Sequence, residues 1–234
     1  MIKLPKRLTT IADMVIKEKA VADIGADHAL LSIYMMENRL ISNAIVTDII
    51  DGPYERAKKA VNESSYRDRI EVRKGDGIKV LKPYEVATVI VAGMGGDTIA
   101  QILSDDWEKA ETYERFILQP MSRPHVLRQL LAERGWTLSE EKLVYENNKF
   151  FVILVYTPDD NPYKLTPLEL DIGPILLEIT YDYKREYLQS FLTKYKNISN
   201  SLSKSTTNQE VDLLESIKEK IKELEGLIND IDKS

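Results

Sequence analysis

Apolar and polar positions alternate in blocks along the first 157 residues. Short runs rich in Val and Ile, at Ala20–Ile24, Ala44–Ile49, Ile70–Lys74, Thr88–Ala92 and Phe116–Gln119, predict strands buried on both faces. Helical patterns separate them at Leu30–Asn38, Pro53–Ser64, Asp97–Leu103 and Pro124–Arg134. Pro53 suits a first helical position, and Gly135 suits a cap after Arg134. Such alternation calls for a mostly parallel sheet with helices on both faces. The rhythm then changes. Leu138–Tyr145 and Phe150–Tyr156 are strand-like and joined only by Glu146-Asn147-Asn148-Lys149, which predicts an antiparallel hairpin. Five parallel units closed by a terminal hairpin make a seven-stranded, Rossmann-like α/β sheet.

Residues 157–166, TPDDNPYKLT, read as a linker. Beyond them the pattern is helical. Leu177, Tyr181, Leu188, Phe191, Tyr195, Ile198 and Leu202 follow a three-four alternation that misses a beat at Lys184. Leu214, Ile217, Ile221, Leu224, Ile228 and Ile231 repeat it, with Thr207 and Glu210 placed for a capping box. The expectation is two domains: residues 1–160 carrying the sheet, and residues 161–234 forming a coiled-coil-like helical hairpin.

Composition narrows the chemistry. The 234-residue chain has no cysteine, which removes disulfides, thiolate metal sites and thiol nucleophiles. It has two histidines, His28 and His125, too few for a polyhistidine metal site. No apolar run is long enough for a membrane span and the N-terminus lacks a signal-peptide core, so a cytoplasmic address is expected. A net charge of −6 argues mildly against a large nucleic-acid footprint while leaving room for a local basic patch.

Four stations along the sheet carry candidate chemistry. In VADIGADH, Gly25 allows close backbone approach, while Asp23 and Asp27 would repel a pyrophosphate and suit a cationic ligand. The plain alternative is a strand-to-helix turn with Asp27 as N-cap. Asp48, 23 residues after Gly25, ends the second strand; it is either a capping carboxylate or, as the spacing favours, the acidic residue that binds the ribose of NAD or S-adenosylmethionine alike, and Ile49 follows it. Gly75-Asp76-Gly77 is either a bare turn or an adenine-flanking one, with Asp76 accepting from the amine. Gly93-Met94-Gly95-Gly96 would present backbone amides at a helix N-terminus. It lacks the Asn/Asp-Pro-Pro-aromatic motif that holds an exocyclic amine in DNA adenine-N6 methyltransferases.

Together IADMV, VADIGADHALL, VTDI, KGDG, VAGMGG and LQPMSRPHVLRQLL resemble the bacterial tRNA (adenine-22-N1)-methyltransferase family, TrmK, over the whole chain. The resemblance implies a class I methyltransferase fold. It also implies a donor, S-adenosylmethionine, no metal, and tRNA as substrate methylated at N1 of one adenine. On that reading Asp23, Gly25, Asp27, His28, Asp48, Ile49, Gly75, Asp76, Gly77 and Gly93 contact the donor. Asp27, His28, Gly93, Met94 and Gly95 serve the transfer. Adenine N1 attacks with its own lone pair, so alignment matters more than a base, and Asp27 would offset the positive charge left on the ring. Lys3, Lys6 and Arg7 form one basic cluster for RNA; Arg123, His125 and Arg128 form another.

From Lys164 onward ten Lys and Arg face thirteen Asp and Glu, which is poor for wrapping a phosphate backbone; the resemblance implies that the appendage grips tRNA, through a tip around Lys204 or its inner face, and stability or dimerisation is the equal alternative. No obligate protein partner is evident. Rival readings are an NAD-dependent Rossmann oxidoreductase, an RNA-binding adaptor without catalysis, and a methyltransferase acting on a small molecule or protein.

Overall fold

The computed structural model describes residues 2–202 and 208–233, with the side chains of residues 208–210 left aside. The chain divides into two compact units, Met1–Leu165 and Thr166–Ser234. In the first unit, strands β1 (Val21–Ile24), β2 (Ala44–Asp48), β3 (Ile70–Lys74), β4 (Thr88–Gly95), β5 (Arg115–Ser122), β6 (Thr137–Glu146) and β7 (Lys149–Thr157) form one sheet in the order β3-β2-β1-β4-β5-β7-β6. The first five pair in parallel; β7 runs antiparallel to both β5 and β6. Every residue of β1 and β2 is buried, which accounts for their unbroken apolar reading.

Helices α1 (Lys6–Asp13), α2 (Leu30–Glu37), α3 (Asp51–Glu63), α4 (Gly96–Ser104), α5 (Trp107–Ala110) and α6 (Pro124–Arg134) cover the sheet or connect its strands. α1 lies ahead of the first strand, where the pattern assigns nothing. Pro53 sits two residues inside α3, not at its first position. Gly135 caps α6 in the left-handed region at φ 89°. Asn147 and Asn148, both at positive φ, make the two-residue turn between β6 and β7, a conformation that asparagine tolerates well.

β4 departs from expectation. It does not end at Ala92 but stays paired with β5 out to Gly95, with register shifts around Met94. Gly93 supplies the left-handed residue, φ 82°, that such a bulge requires. Helix α4 therefore begins only at Gly96, so Gly93–Gly95 are strand-end backbone and not a loop of helix-terminal amides.

Arg128 is corrected outright. Its side chain is fully buried and its Nε donates to Glu141 Oε1 at 2.8 Å, both side chains being 0% exposed. It is a core ion pair beneath α6 and has no route to an RNA phosphate. The aromatic cluster Trp107, Phe116 and Trp136 fills the same end of the molecule.

The second unit contains α7 (Pro167–Ile172), α8 (Pro174–Glu178), α9 (Lys184–Leu202) and α10 (Asn208–Lys233). Thr166 and Glu169 form a capping box at α7. The run that begins at Leu177 is not one helix: α8 stops at Glu178, Tyr183 takes a positive φ, and α9 starts at the missed beat, Lys184. α9 and α10 are antiparallel, as the Arg185–Asp232 and Lys196–Glu225 pairs show. Midway along, both are tied to α7, where Asp171 accepts from Tyr195 Oη at 2.5 Å and from Lys220. The expected Thr207–Glu210 capping box and the tip around Lys204 lie outside the described residues.

Two stability predictions follow from the buried charges. Arg128→Met leaves the Glu141 carboxylate desolvated without its ion-pair partner. It should cost about 3–5 kcal/mol in urea unfolding, and adding Glu141→Leu should recover most of that loss. Asp23 is buried in β1, where it accepts a long hydrogen bond from the Ser32 hydroxyl at 3.4 Å, and burial pushes its carboxyl up to about 7. Its folded pKa lies above its unfolded value. The protonated form therefore favours the native state fully below about pH 4, and that advantage is lost as pH rises to about 7. Asp23→Asn should be increasingly more stable than wild type between pH 4 and 7, and the gap should stay level above pH 7 in paired urea titrations.

Candidate functional site

Strand order reverses between β1 and β4, and in open α/β sheets the crevice at such a switch, beyond the carboxyl ends of the strands, holds the ligand. A cleft of about 730 Å³ opens here. That volume suits a nucleoside-sized ligand. Its walls come from Ile24, Gly25 and Asp27 after β1, Thr47 to Ile50 after β2, Gly75 to Gly77 after β3, and Met94 with one face of α4.

Gly25, at φ 70°, is required twice over. Its backbone donates to Thr47 O at 2.7 Å, and a Cβ there would sit 2.0 Å from Met94 Cε. After it, Asp27, His28 and Ala29 form a single 3-10 turn before α2. His28 and Ala29 both take left-handed backbone, φ 66° and 51°. Such conformations cost non-glycine residues about 1–3 kcal/mol and cluster where a site needs them. Asp27 is not an N-cap: α2 begins after Ala29 without a side-chain cap. Instead its Oδ1 accepts from Arg56 Nε on α3 at 2.8 Å, with His28 Nε2 at 3.6 Å. The Arg56 hydrogen bond holds the Asp27 carboxyl below the usual range.

Asp48 is buried at the end of β2, and the Ile50 N–H donates to its Oδ1 at 2.8 Å. Ile49 and Ile50 stand exposed on the rim, 58% and 62%. Next to Asp48, the Thr47 hydroxyl is buried and has no hydrogen-bond partner among the described residues. Asp76 faces the cleft and pairs with Lys79, which also holds Asp105, so that one ammonium ties the β3 loop to the end of α4. Asp97, in the first turn of α4, pairs with Arg123 at 2.8 Å. Five carboxylates thus line the cleft and no Lys or Arg does.

Of the residues expected from sequence, Gly25, Asp27, Asp48, Ile49, Gly75, Asp76, Gly77 and Met94 meet at this cleft. Gly93 and Gly95 adjoin it on the bulged end of β4; Gly93 is exposed, and a Cβ there would meet nothing within 4 Å. His28 stands on the outer side of its turn, half exposed. Asp23 is not brought to the wall; it is buried in the strand behind. Lys3 and Lys6 are exposed. Arg7 lies down on the sheet end, donating to Gln119 Oε1 at 2.5 Å and resting over the Phe151 ring. Arg123, the N-cap of α6, is exposed and left-handed at φ 53°; His125 is partly buried. Arg56, Thr47, Asp97 and Asp105 were not singled out by sequence. Arg56 and Asp97 stand at helix positions where a charged residue is ordinary, so only the assembled cleft distinguishes them.

The family model described as tRNA (adenine(22)-N(1))-methyltransferase, TrmK, matches residues 21–226. The tRNA (adenine(22)-N(1))-methyltransferase of Bacillus subtilis (strain 168) is 37% identical over 175 residues, 75% of this chain and 74% of the relative. The crystal structure of the Bacillus subtilis tRNA methyltransferase TrmK superposes with a TM-score of 0.87 at 30% identity, covering 97% of this chain and 100% of that one. A Streptococcus pneumoniae homologue, solved in complex with S-adenosyl-L-methionine, gives 0.81 at 30% identity over 94% and 100% of the two chains. With its cleft at the β1–β4 switch and its acidic wall, the chain belongs to the tRNA (adenine(22)-N(1))-methyltransferase family.

Proposed function

We propose that this protein transfers a methyl group from S-adenosylmethionine to N1 of adenine 22 in tRNA. The observation that carries the reading is a nucleoside-sized cleft with five carboxylates and no cation on its wall, in a chain of this family. The donor's ammonium and sulfonium suit that wall, whereas the pyrophosphate of NAD would be repelled. The buried Thr47 hydroxyl without a partner is a second sign that the cleft receives a polar ligand.

When bound, the donor supplies an electrophilic methyl on a sulfonium. In this reading Asp48 accepts hydrogen bonds from the ribose hydroxyls, Ile49 covers an adenine face, and Asp76 accepts from the adenine amine. Gly25, Gly75 and Gly77 keep the backbone close, and Met94 packs over Gly25. The target nucleotide must be unpaired, because pairing occupies N1. The backbone of Gly93, Met94 and Gly95 holds its edge, and His28 borders the same opening. Asp27, kept ionised by Arg56, faces the positive charge that develops on the ring. Lys3, Lys6, Arg123 and His125 meet the RNA backbone, while Arg7 braces Gln119 and Phe151.

Residues 1–160 carry the transfer and residues 161–234 form the helical appendage that helps grip tRNA. No described helix is long and apolar enough to cross a membrane, and the proposed place of action is the cytoplasm.

Incubation with labelled S-adenosylmethionine and unmodified tRNA should give 1-methyladenosine at position 22; label at another nucleoside or none would overturn the assignment. Asp48→Ala should weaken donor binding at least about tenfold, the loss of one charged hydrogen-bonding partner, read by calorimetry. Asp27→Ala should keep its fold and bind donor within a few-fold of wild type, yet turn over about a hundredfold more slowly. Wild-type turnover in that variant would remove Asp27 from the transfer.

A further inference from the structure

Asp97 and Arg123 occupy unusual positions relative to each other. Asp97 faces the donor cleft from the first turn of α4. Arg123 stands at the start of α6, after β5, on the side of the strand ends where Gly93 is open. Their carboxylate and guanidinium meet at 2.8–2.9 Å, with side chains 55% and 58% exposed. Beneath them the two segments are closely packed: past the bulge Gly95 pairs with Ser122, and a Cβ on Gly96 would strike the Arg123 carbonyl at 2.4 Å. The backbone that carries the pair is therefore rigid, while the pair itself is open to solvent and exchangeable.

We infer that this ion pair couples the donor site to the RNA site. The inference rests on the proposed function. A tRNA phosphate offers Arg123 a bidentate partner in place of Asp97. Once Arg123 turns to phosphate, the Asp97 carboxylate is left unneutralised on the cleft wall, where it favours the cationic donor. Exposed pairs are weak, so the exchange is cheap. By linkage the effect is reciprocal, and bound donor tightens tRNA by the same factor. The other cleft carboxylates do not offer this. Asp27 is tied to Arg56, and Asp76 and Asp105 to Lys79, which lie around the donor cleft itself; Asp48 is held by a backbone N–H.

The test is calorimetric. S-adenosylmethionine is titrated into the protein alone and into protein saturated with a tRNA carrying guanine at position 22, which offers no adenine N1 to methylate, for wild type, Asp97→Asn, Arg123→Gln and Arg123→Lys. Wild type should bind donor about fivefold tighter with tRNA present, at the low end for coupled sites. Asp97→Asn and Arg123→Gln should bring that ratio to about one, and Arg123→Lys should keep much of it. A role in folding alone would move unfolding temperature or donor affinity in the absence of tRNA, not the ratio. A wild-type ratio of one, or an unchanged ratio in both neutral variants, overturns the coupling while leaving methyl transfer intact. Failure of the wild-type protein to bind donor at all would overturn the underlying function together with it.

Discussion

The reversal of strand order between β1 and β4 is the constraint on which the site depends. Two parallel strands that send their connections to opposite sides cannot close the gap beyond their ends. The gap can be kept open only by strands that do not move, and β1 meets that need by being buried throughout between β2 and β4. Gly25 then turns the chain out of β1 where any side chain would collide with Met94, and Gly93 supplies the left-handed bulge inside β4 in more open space. The cleft is a backbone feature first, and its chemistry is added to the rim.

That chemistry is carried by ion pairs of a particular kind. Arg56, Lys79 and Arg123 each hold a cleft carboxylate from outside the wall, at exposed positions where solvent screens the attraction and a pair adds little stability. Their value lies in orientation. Arg56 fixes the carboxylate that opens the strained Asp27–Ala29 turn and keeps it ionised. Arg128 and Glu141 show the opposite regime: both are removed from water, so each requires the other, and nothing is left over for a ligand.

The legible parts of the molecule were those written in local pattern. Strand existence, the α6 cap at Gly135 and the Asn147-Asn148 turn follow from burial on two faces or from a single residue's tolerance of positive φ. Asp48 and Gly25 could be placed at the cleft because the carboxyl end of a parallel strand opens there. The illegible parts depend on distant partners. Arg128 reads as a surface cation because arginine is mostly exposed, although Leu127, Leu131 and Ala132 share its face of α6, and only the approach of β6 with Glu141 gives it a partner inside. The extension of β4 through Gly95 depends on pairing with Ser122, and the break between α8 and α9 on a positive φ at Tyr183 that periodicity cannot register.

By itself, then, the chain's pattern determined the sheet, its crossover helices, the terminal hairpin and most of the glycines and aspartates that line the cleft. These follow from period, turn chemistry and residue size, which act within a few residues. Tertiary structure alone decided which charges are neutralised and by what. It paired Asp27 with Arg56, set Asp97 against Arg123, buried Asp23 where its carboxyl is pushed up to about 7, and buried the Thr47 hydroxyl without a hydrogen-bond partner among the described residues. Electrostatic partners are chosen by distance in space, and a sequence records distance only along the chain.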